Sequence, residues 1–285
     1  MLLGGGVVLV QRIMDPGLAG PPRCTFTSAQ GAAFDLDPQQ ARNASIISAV
    51  ATRRQLPPRA AVLGVATAMQ ESKLHNLPGG DRDSLGLFQQ RPSQGWGTKE
   101  QILDPVYSAG KFYDVLATID GWETMPLTKA AQAVQRSGFP DAYAQHETEA
   151  QTYGEALAGV RPTSLGCRLK EAAPSATTSQ VAAALKRETG TRADAVDGAL
   201  VLQAGNARQA GTAAAWAVAS AAEFGVTEVR LGGKAWRRGT SEESLAWVDT
   251  TEPAAPTARP RCRPGSARRG VRCPRSPGPS RAPTP

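Results

Sequence analysis

The sequence predicts a mainly α-helical domain, followed by a small α/β module and a disordered C-terminal tail. Three observations predict this class. Helix-start signals and helical spacing of apolar residues recur in the first part, short strand-type runs follow residue 179, and the chain ends in a Pro/Arg/Gly/Ser-rich stretch that cannot bury a core. The 285 residues are enough for one large domain or two modest ones.

Helix-start signals recur between residues 37 and 160. Asp37 followed by Pro38 combines a capping side chain with a proline that suits the first helical turn, and Asp104-Pro105 repeats the signal. Apolar residues then follow helical spacing. The predicted helices are 38–54, a helix from 58 whose last turn holds Glu71, a helix from 105 past 116, 126–135, and a helix from 141 to near 159.

The pattern changes beyond residue 179 and predicts a second module, for which α/β and α+β arrangements are both open. Its predicted helices are 180–188 and 213–224, the second with Gly225 as its C-cap. Its predicted strands are 199–202 and 226–231, followed by a turn at 232–233 and a return strand. The predicted division is an irregular N-terminal segment (1–36), a helical domain (37–165), a linker (166–179), the module (180–251) and the tail (252–285).

The basic character of the chain belongs to the tail. Residues 253–285 hold eight arginines and no acidic residue, which more than accounts for the net charge of +7. A basic tail can bind any polyanion, but a solvated tail is the simpler expectation, and we predict no specific nucleic-acid partner. The apolar stretch 2–10 is much shorter than the roughly 20 residues of a spanning helix. It indicates the remnant of a membrane anchor or an N-terminal strand, and we favour the anchor.

The cysteines bear on cellular location rather than on metal binding. No CxxC pair occurs and there are only two histidines, so we predict no metal site and no cofactor. Cys24 and Cys167 bracket the helical domain. In an exported protein a disulfide between them would contribute roughly 4–5 kcal/mol, whereas two unrelated thiols are an equal alternative.

The candidate chemistry centres on Glu71, at the end of a predicted helix. Unpaired carbonyl groups there disfavour a charged carboxylate and would favour its protonated form. Cleavage of a glycosidic bond needs such a proton donor in a cleft. Polar side chains that could bind sugar hydroxyls follow it, and so do aromatic side chains that could stack on sugars. The polar residues are Asn76, Ser84, Gln89 and Gln90, and the aromatic residues are Phe88, Trp96 and Tyr107. Gly86 would let the backbone pass close to a ligand.

Glu71-Ser72, followed fifteen residues later by Gly86-Leu87-Phe88-Gln89, resembles the "ES…GLMQ" signature of lytic transglycosylases and goose-type lysozymes. The resemblance covers roughly residues 37–160 and implies a lysozyme-like helical fold. It further implies cleavage of the β-1,4 bond between N-acetylmuramic acid and N-acetylglucosamine in peptidoglycan. Glu71 would be general acid and then base, Ser72 would support it, and Gln89 would line the subsite at the scissile bond. No cofactor is implied.

The sequence departs from this family at a downstream Ala-Tyr-Asn type motif. Residues 130–143 read AAQAVQRSGFPDAY, where Gln132, Gln135 and Ser137 could supply polar groups and Tyr143 could replace the tyrosine. Because of this departure, an enzyme is not the only interpretation. The alternative is a catalytically inactive protein that binds or organises the cell wall. The segments SLGLFQQRPSQGWG and VQRSGFPDAY look like those of exported actinobacterial lysozyme-like proteins, which implies an extracellular or cell-envelope location.

Asp81 and Asp83 are candidates for a second carboxylate. A hydrolase of this kind uses two carboxylates, whereas in a lytic transglycosylase the substrate's own C6 hydroxyl attacks and one carboxylate suffices. Either aspartate could position a water molecule. The alternative, which we favour, is that both stabilise a glycine-rich turn.

Overall fold

The structure is a computed structural model that describes residues 20–136, 141–172 and 176–250. Helix is the main secondary structure in these residues. The helices are α1 Pro38–Arg53, α2 Pro58–Ser72, α3 Lys99–Ile102, α4 Pro105–Leu116, α5 Leu127–Gln135, α6 Glu147–Leu157, α7 Thr178–Thr189, α8 Ala207–Ala219 and α9 Ala221–Phe224. The strands are β1 Arg23–Thr27, β2 Ala33–Leu36, β3 Leu165–Arg168, β4 Arg192–Val196, β5 Ala199–Gln203, β6 Glu228–Leu231, β7 Lys234–Arg237 and β8 Val248–Asp249.

The predicted helix starts are confirmed where a capping side chain is present. Asp37 accepts a hydrogen bond from the backbone N–H of Gln40 at 2.8 Å, and the Gln40 side chain accepts from the backbone N–H of Asp37 at 3.0 Å. Asp104 accepts from the backbone N–H of Val106 at 2.9 Å in the same way. The last helix of the predicted domain begins at Glu147 and not at 141, because residues 144–146 form a separate 3-10 turn.

α1 is the central helix. All of its residues from Ala41 to Thr52 are buried, since it packs against α2, α4, α7 and α8. α2 crosses α6 at Gly154, where an added Cβ would lie 2.8 Å from Cγ2 of Val62. This close crossing fixes the direction of α2 and therefore the position of Glu71 at its end.

A three-stranded antiparallel sheet, in the order β2-β1-β3, joins the two ends of the helical region. Cys24 on β1 is paired in register with Cys167 on β3, and the two form a disulfide across 143 residues of chain. The prediction that residues 1–36 are irregular is therefore wrong for β1 and β2, and the predicted linker begins with a strand. These short strands are stabilised by distant partners, which local patterns do not reveal.

The C-terminal module contains two antiparallel sheets, the β4-β5 hairpin and a sheet in the order β6-β7-β8. Since every described pair in this module is antiparallel, it is an α+β and not an α/β arrangement. The predicted turn at 232–233 and its return strand are confirmed, as is Gly225 as a helix C-cap with φ of 70°. In place of the predicted single helix 213–224 there are two helices: α8 begins earlier, at Ala207, because Asn206 caps it, and α9 follows after Ser220.

The C-terminal module and the helical region share one hydrophobic core. Ala214, Ala215 and Val218 of α8 lie in the same buried cluster as Ile47 of α1. Buried Arg42 of α1 also forms an ion pair with buried Glu188 of α7. The proposed division into separate domains stays a prediction.

Two predictions concern residues outside the described ranges. They are the anchor or strand at 2–10 and the disordered tail at 252–285. Within the described part of the chain, no helix combines the length and the apolar character needed to cross a bilayer.

Candidate functional site

Glu71 lies in the last turn of α2, half-buried, at the edge of a groove. Its Oε1 atom accepts a hydrogen bond of 2.7 Å from the hydroxyl group of Tyr143. Tyr143 is fully buried in the turn that precedes α6. The helix ends immediately after Glu71-Ser72, because Lys73 and Leu74 both adopt positive φ angles. A rigid helix end and a buried tyrosine therefore fix the carboxyl group.

Residues 85–90 form a tight loop that packs against this helix end. Leu85 and Gln90 exchange two backbone hydrogen bonds, of 2.9 and 3.0 Å, which close the loop. The Ser72 hydroxyl donates to the carbonyl oxygen of Leu87 at 2.8 Å. From the other side, the Gln135 amide donates to the carbonyl oxygen of Phe88 at 2.8 Å. The structure thus places the two halves of the sequence signature next to each other.

Four of the candidate residues in and beside the signature, Ser72, Gly86, Phe88 and Gln90, are buried and do not line the groove. Ser72 holds the loop, and Gln90 donates to the carbonyl oxygen of Ser108 at 3.1 Å from a buried position. Both side chains hold the fold of the site, and Gln90 is turned away from the groove, contrary to the expectation that it binds sugar hydroxyls. For Ser72 the arrangement agrees with a supporting role beside Glu71.

The other two buried residues are Gly86 and Phe88. The Phe88 ring is inaccessible to solvent and stacks on Phe112 with centroids 4.8 Å apart, so the prediction that it stacks on a sugar is wrong. Gly86 has φ of 76°, and an added Cβ would lie 2.8 Å from the carbonyl oxygen of Ile102. The close approach that requires glycine here is therefore a contact within the protein, between the loop and the end of α3.

The groove itself has a volume of about 1090 Å³. Its lining residues come from the end of α2, the loops after it, α4 and α5. They are Glu71, Asp81, Arg82, Ser84, Gln89, Arg91, Gln94, Gly95, Trp96, Lys111, Asp114, Val115, Val134, Gln135 and Arg136. Six residues that the sequence singled out therefore line one open space: Glu71, Asp81, Ser84, Gln89, Trp96 and Gln135.

Gln89 and Trp96 present different surfaces to the groove. Gln89 has φ of 48°, its Oε1 accepts from the Ser84 hydroxyl at 2.9 Å, and its Nε2 donates to the Gly86 carbonyl oxygen at 3.1 Å. These bonds hold the amide in one orientation. Trp96 is half-buried, with part of its ring packed on the core. One pre-oriented amide and one indole thus stand beside the carboxyl group.

The two aspartates of the glycine-rich loop have different environments. Asp83 accepts from the Arg91 guanidinium at 2.7 Å, and from the backbone N–H and hydroxyl of Ser93 at 2.8 and 3.0 Å. These donors, with Arg91 the strongest, hold the pKa of the Asp83 carboxyl well below its usual range. Asp83 has the contacts of a turn-stabilising residue. Asp81 is exposed, lies 3.9 Å from Arg82, and lines the groove.

The remaining candidates from the sequence lie near the site but are engaged elsewhere. The Asn76 amide donates to the carbonyl oxygen of Leu103 at 2.7 Å. The Tyr107 ring lies under the Lys111 ammonium group, which is 5.8 Å from the ring centroid. Gln132 on α5 is half-buried and is not among the lining residues of the groove. Ser137 lies outside the described residues.

Sequence reasoning missed the wall formed by α4 and by Arg136 after α5. Lys111, Asp114 and Val115 lie at positions i, i+3 and i+4 of α4 and therefore share one face. The spacing was visible in the sequence, but nothing local showed that this face borders the groove. No protein-family model matches the chain, and no curated protein matches it.

Proposed function

We propose that this chain cleaves glycan strands of peptidoglycan at the β-1,4 bond between N-acetylmuramic acid and N-acetylglucosamine, with Glu71 as general acid and base. The observation that carries the proposal is the Glu71 carboxyl group, fixed at a helix end by Tyr143 and open to a groove that Gln89 and Trp96 also line. A lysozyme-like arrangement of the helices belongs to the same proposal. Its support is the contact between Glu71-Ser72 and the loop of Gly86–Gln89.

The chemistry that this arrangement can perform begins with a proton transfer. Glu71 in its acid form gives its proton to the glycosidic oxygen, and the bond from that oxygen to C1 of the muramic sugar breaks. An electron-poor centre develops at C1, and the Glu71 carboxylate then takes a proton from the attacking hydroxyl group. If the attacker is the C6 hydroxyl of the same sugar, the product is a 1,6-anhydro ring; if it is water, the product is a reducing end.

The groove offers contacts for neutral parts of such a strand. The Trp96 ring can stack on the apolar face of a sugar, and the amide of Gln89 has the donor and acceptor groups that an acetamido group requires. The volume of about 1090 Å³ lies slightly above the roughly 300–1,000 Å³ of ordinary ligand pockets, which suits several linked sugars. The Cys24–Cys167 disulfide supports an extracellular or cell-envelope location, since disulfides persist in oxidising compartments.

The test is digestion of purified peptidoglycan by the full chain. We expect Glu71→Gln to abolish release of soluble fragments, because the amide cannot supply the proton, and Glu123→Gln to cleave like the wild type. Glu123 is an exposed acid that does not line the groove, so it controls for loss of charge. Equal cleavage by Glu71→Gln would refute the assigned role.

Mass spectrometry of the fragments separates the two reactions, since the anhydro product is lighter than the hydrated one by one water molecule. A third outcome, binding of peptidoglycan without any release of fragments by the wild type, would refute the enzymatic proposal. It would favour the alternative of a catalytically inactive protein that binds or organises the wall.

A further inference from the structure

Some charged residues of the groove have an ion-pair partner of opposite charge, and others do not. Arg91 is paired with Asp83 at 2.7 Å, and Asp114 is paired with Arg54 at 2.6 Å. In contrast, Lys111 and Arg136 have no carboxylate within ion-pair distance among the residues that the structure describes. Both line the groove. Two positive charges therefore remain available on its wall.

These two cations occupy defined positions. Lys111 lies on the face of α4 that borders the groove, and its ammonium group rests over the Tyr107 ring at 5.8 Å from the centroid. Arg136 follows the last turn of α5, with φ of 50°, and is exposed. Since α4 and α5 pack against each other, both cations belong to one wall, which faces the space into which Glu71 opens.

We propose that Lys111 and Arg136 select a glycan that carries carboxylate groups over a neutral glycan of the same linkage. This inference rests on the proposed function and gives the substrate class of that site. A guanidinium group binds a carboxylate through two parallel hydrogen bonds, and an ammonium group binds it as a point charge. Unpaired cations on a partly enclosed wall also raise the local concentration of anionic ligands.

In a peptidoglycan strand the carboxylate can come from two sources. One is the lactyl group of a muramic sugar that carries no peptide, and the other is the attached peptide. Both present the same charge to the same wall, so the binding experiment includes one ligand of each kind. Neutral oligomers of β-1,4-linked N-acetylglucosamine have neither source.

The experiment measures dissociation constants by calorimetry for the full chain carrying Glu71→Gln, so that no ligand is consumed. The ligands are hexasaccharides: a neutral N-acetylglucosamine oligomer, a peptide-free peptidoglycan strand, the same strand with its carboxylates converted to amides, and a peptide-bearing strand. We expect the carboxylate-bearing strands to bind about tenfold more tightly than the amidated strand, and this preference to weaken with added salt.

The variants Lys111→Gln and Arg136→Gln, added to Glu71→Gln, should each reduce the preference about threefold, and the double change should remove it. Lys129→Gln, which removes an exposed cation of α5 outside the groove lining, is the matched control and should retain the preference. Melting temperatures equal to that of the parent show that each variant is folded. The salt dependence of the unchanged chain tests the same idea without any variant.

The outcomes separate the two proposals. Equal binding of carboxylate-bearing and amidated strands would overturn the selection by charge, even if the wild type cleaves peptidoglycan. A preference that Lys129→Gln reduces as much as the other variants would overturn the assignment to Lys111 and Arg136. Charge-dependent binding by a wild type that releases no fragments would support the selection and refute the proposed cleavage.

Discussion

The strongest prediction from the described contacts concerns the buried ion pair between Arg42 and Glu188. Oε2 of Glu188 accepts from Nη1 of Arg42 at 2.6 Å and Oε1 accepts from Nη2 at 2.8 Å. Trp216 donates to Oε2 from its indole N–H at 2.5 Å. The Arg42 and Glu188 side chains are only 10% and 6% exposed. The pair links α1 of the helical region to α7 of the C-terminal module.

Glu188→Gln removes the negative charge and keeps nearly the same volume. One amide oxygen can still accept a hydrogen bond, but the new NH₂ group faces an N–H donor of Arg42. Breaking a buried pair by removing one partner costs about 3–5 kcal/mol, because the other charge stays buried. Glu223 still binds Nε of Arg42 at 2.7 Å and compensates part of its charge, although Glu223 is half exposed. We therefore expect a loss of about 3 kcal/mol in the free energy of unfolding, at the low end of that range.

Urea unfolding, followed by tryptophan fluorescence, measures this loss in the free energy of unfolding. Asp249→Asn is the control, since its pair with Lys234 spans 2.7 Å but is solvent-exposed and should contribute at most about 1 kcal/mol. The double variant Arg42→Met/Glu188→Gln should be more stable than Glu188→Gln alone, because no unpaired charge is then buried.

Two results would refute this reasoning. The first is a loss for Glu188→Gln no larger than the loss for Asp249→Asn. The second is additivity: the double variant would lose as much free energy of unfolding as the two single variants lose together. In that case the cost would not arise from an uncompensated buried charge.

Three further predictions concern the site. Tyr143→Phe removes the hydroxyl group that donates a hydrogen bond to Glu71. A hydrogen bond with one charged partner contributes about 1.5–3 kcal/mol, so kcat for peptidoglycan cleavage should fall about 10-fold to 100-fold with little change in KM. An unchanged kcat would contradict this. Because the folded-state pKa of Asp83 is depressed, its contribution to stability is complete above its unfolded pKa of about 3.9 and is lost as pH falls toward the folded value. The melting temperature of Asp83→Asn should therefore lie below that of the wild type at pH 7, and the gap should shrink below about pH 4; a gap independent of pH would count against the ion pair. Gly86→Ala should destabilise the protein by about 1–3 kcal/mol in urea unfolding, because φ at this position is positive and a carbonyl oxygen lies 2.8 Å from the new methyl group. Gly79→Ala, in the segment before that loop, meets nothing within 4 Å and should change stability little.

Local signals in the sequence were sufficient for the helices near the site. Asp37 and Asp104 cap helices where the sequence placed them, since capping depends on residues only two or three positions away. Helical spacing also placed Glu71 at a helix end, because such spacing is short-range and a sequence displays it directly. The loop of Gly86–Gln89 was expected beside Glu71 only through the resemblance to lytic transglycosylases and goose-type lysozymes.

The tertiary structure alone decided which side chains face the groove. Phe88 and Gln90 are of types that bind sugars, yet both are turned into the core, because a tight loop closed at Leu85 and Gln90 orients every side chain within it. The hydrogen bond from Tyr143 to Glu71 and the cationic wall of Lys111 and Arg136 join segments that are far apart in the chain. Burial and long-range contact depend on the packing of the whole chain, so residue type alone could not assign these roles.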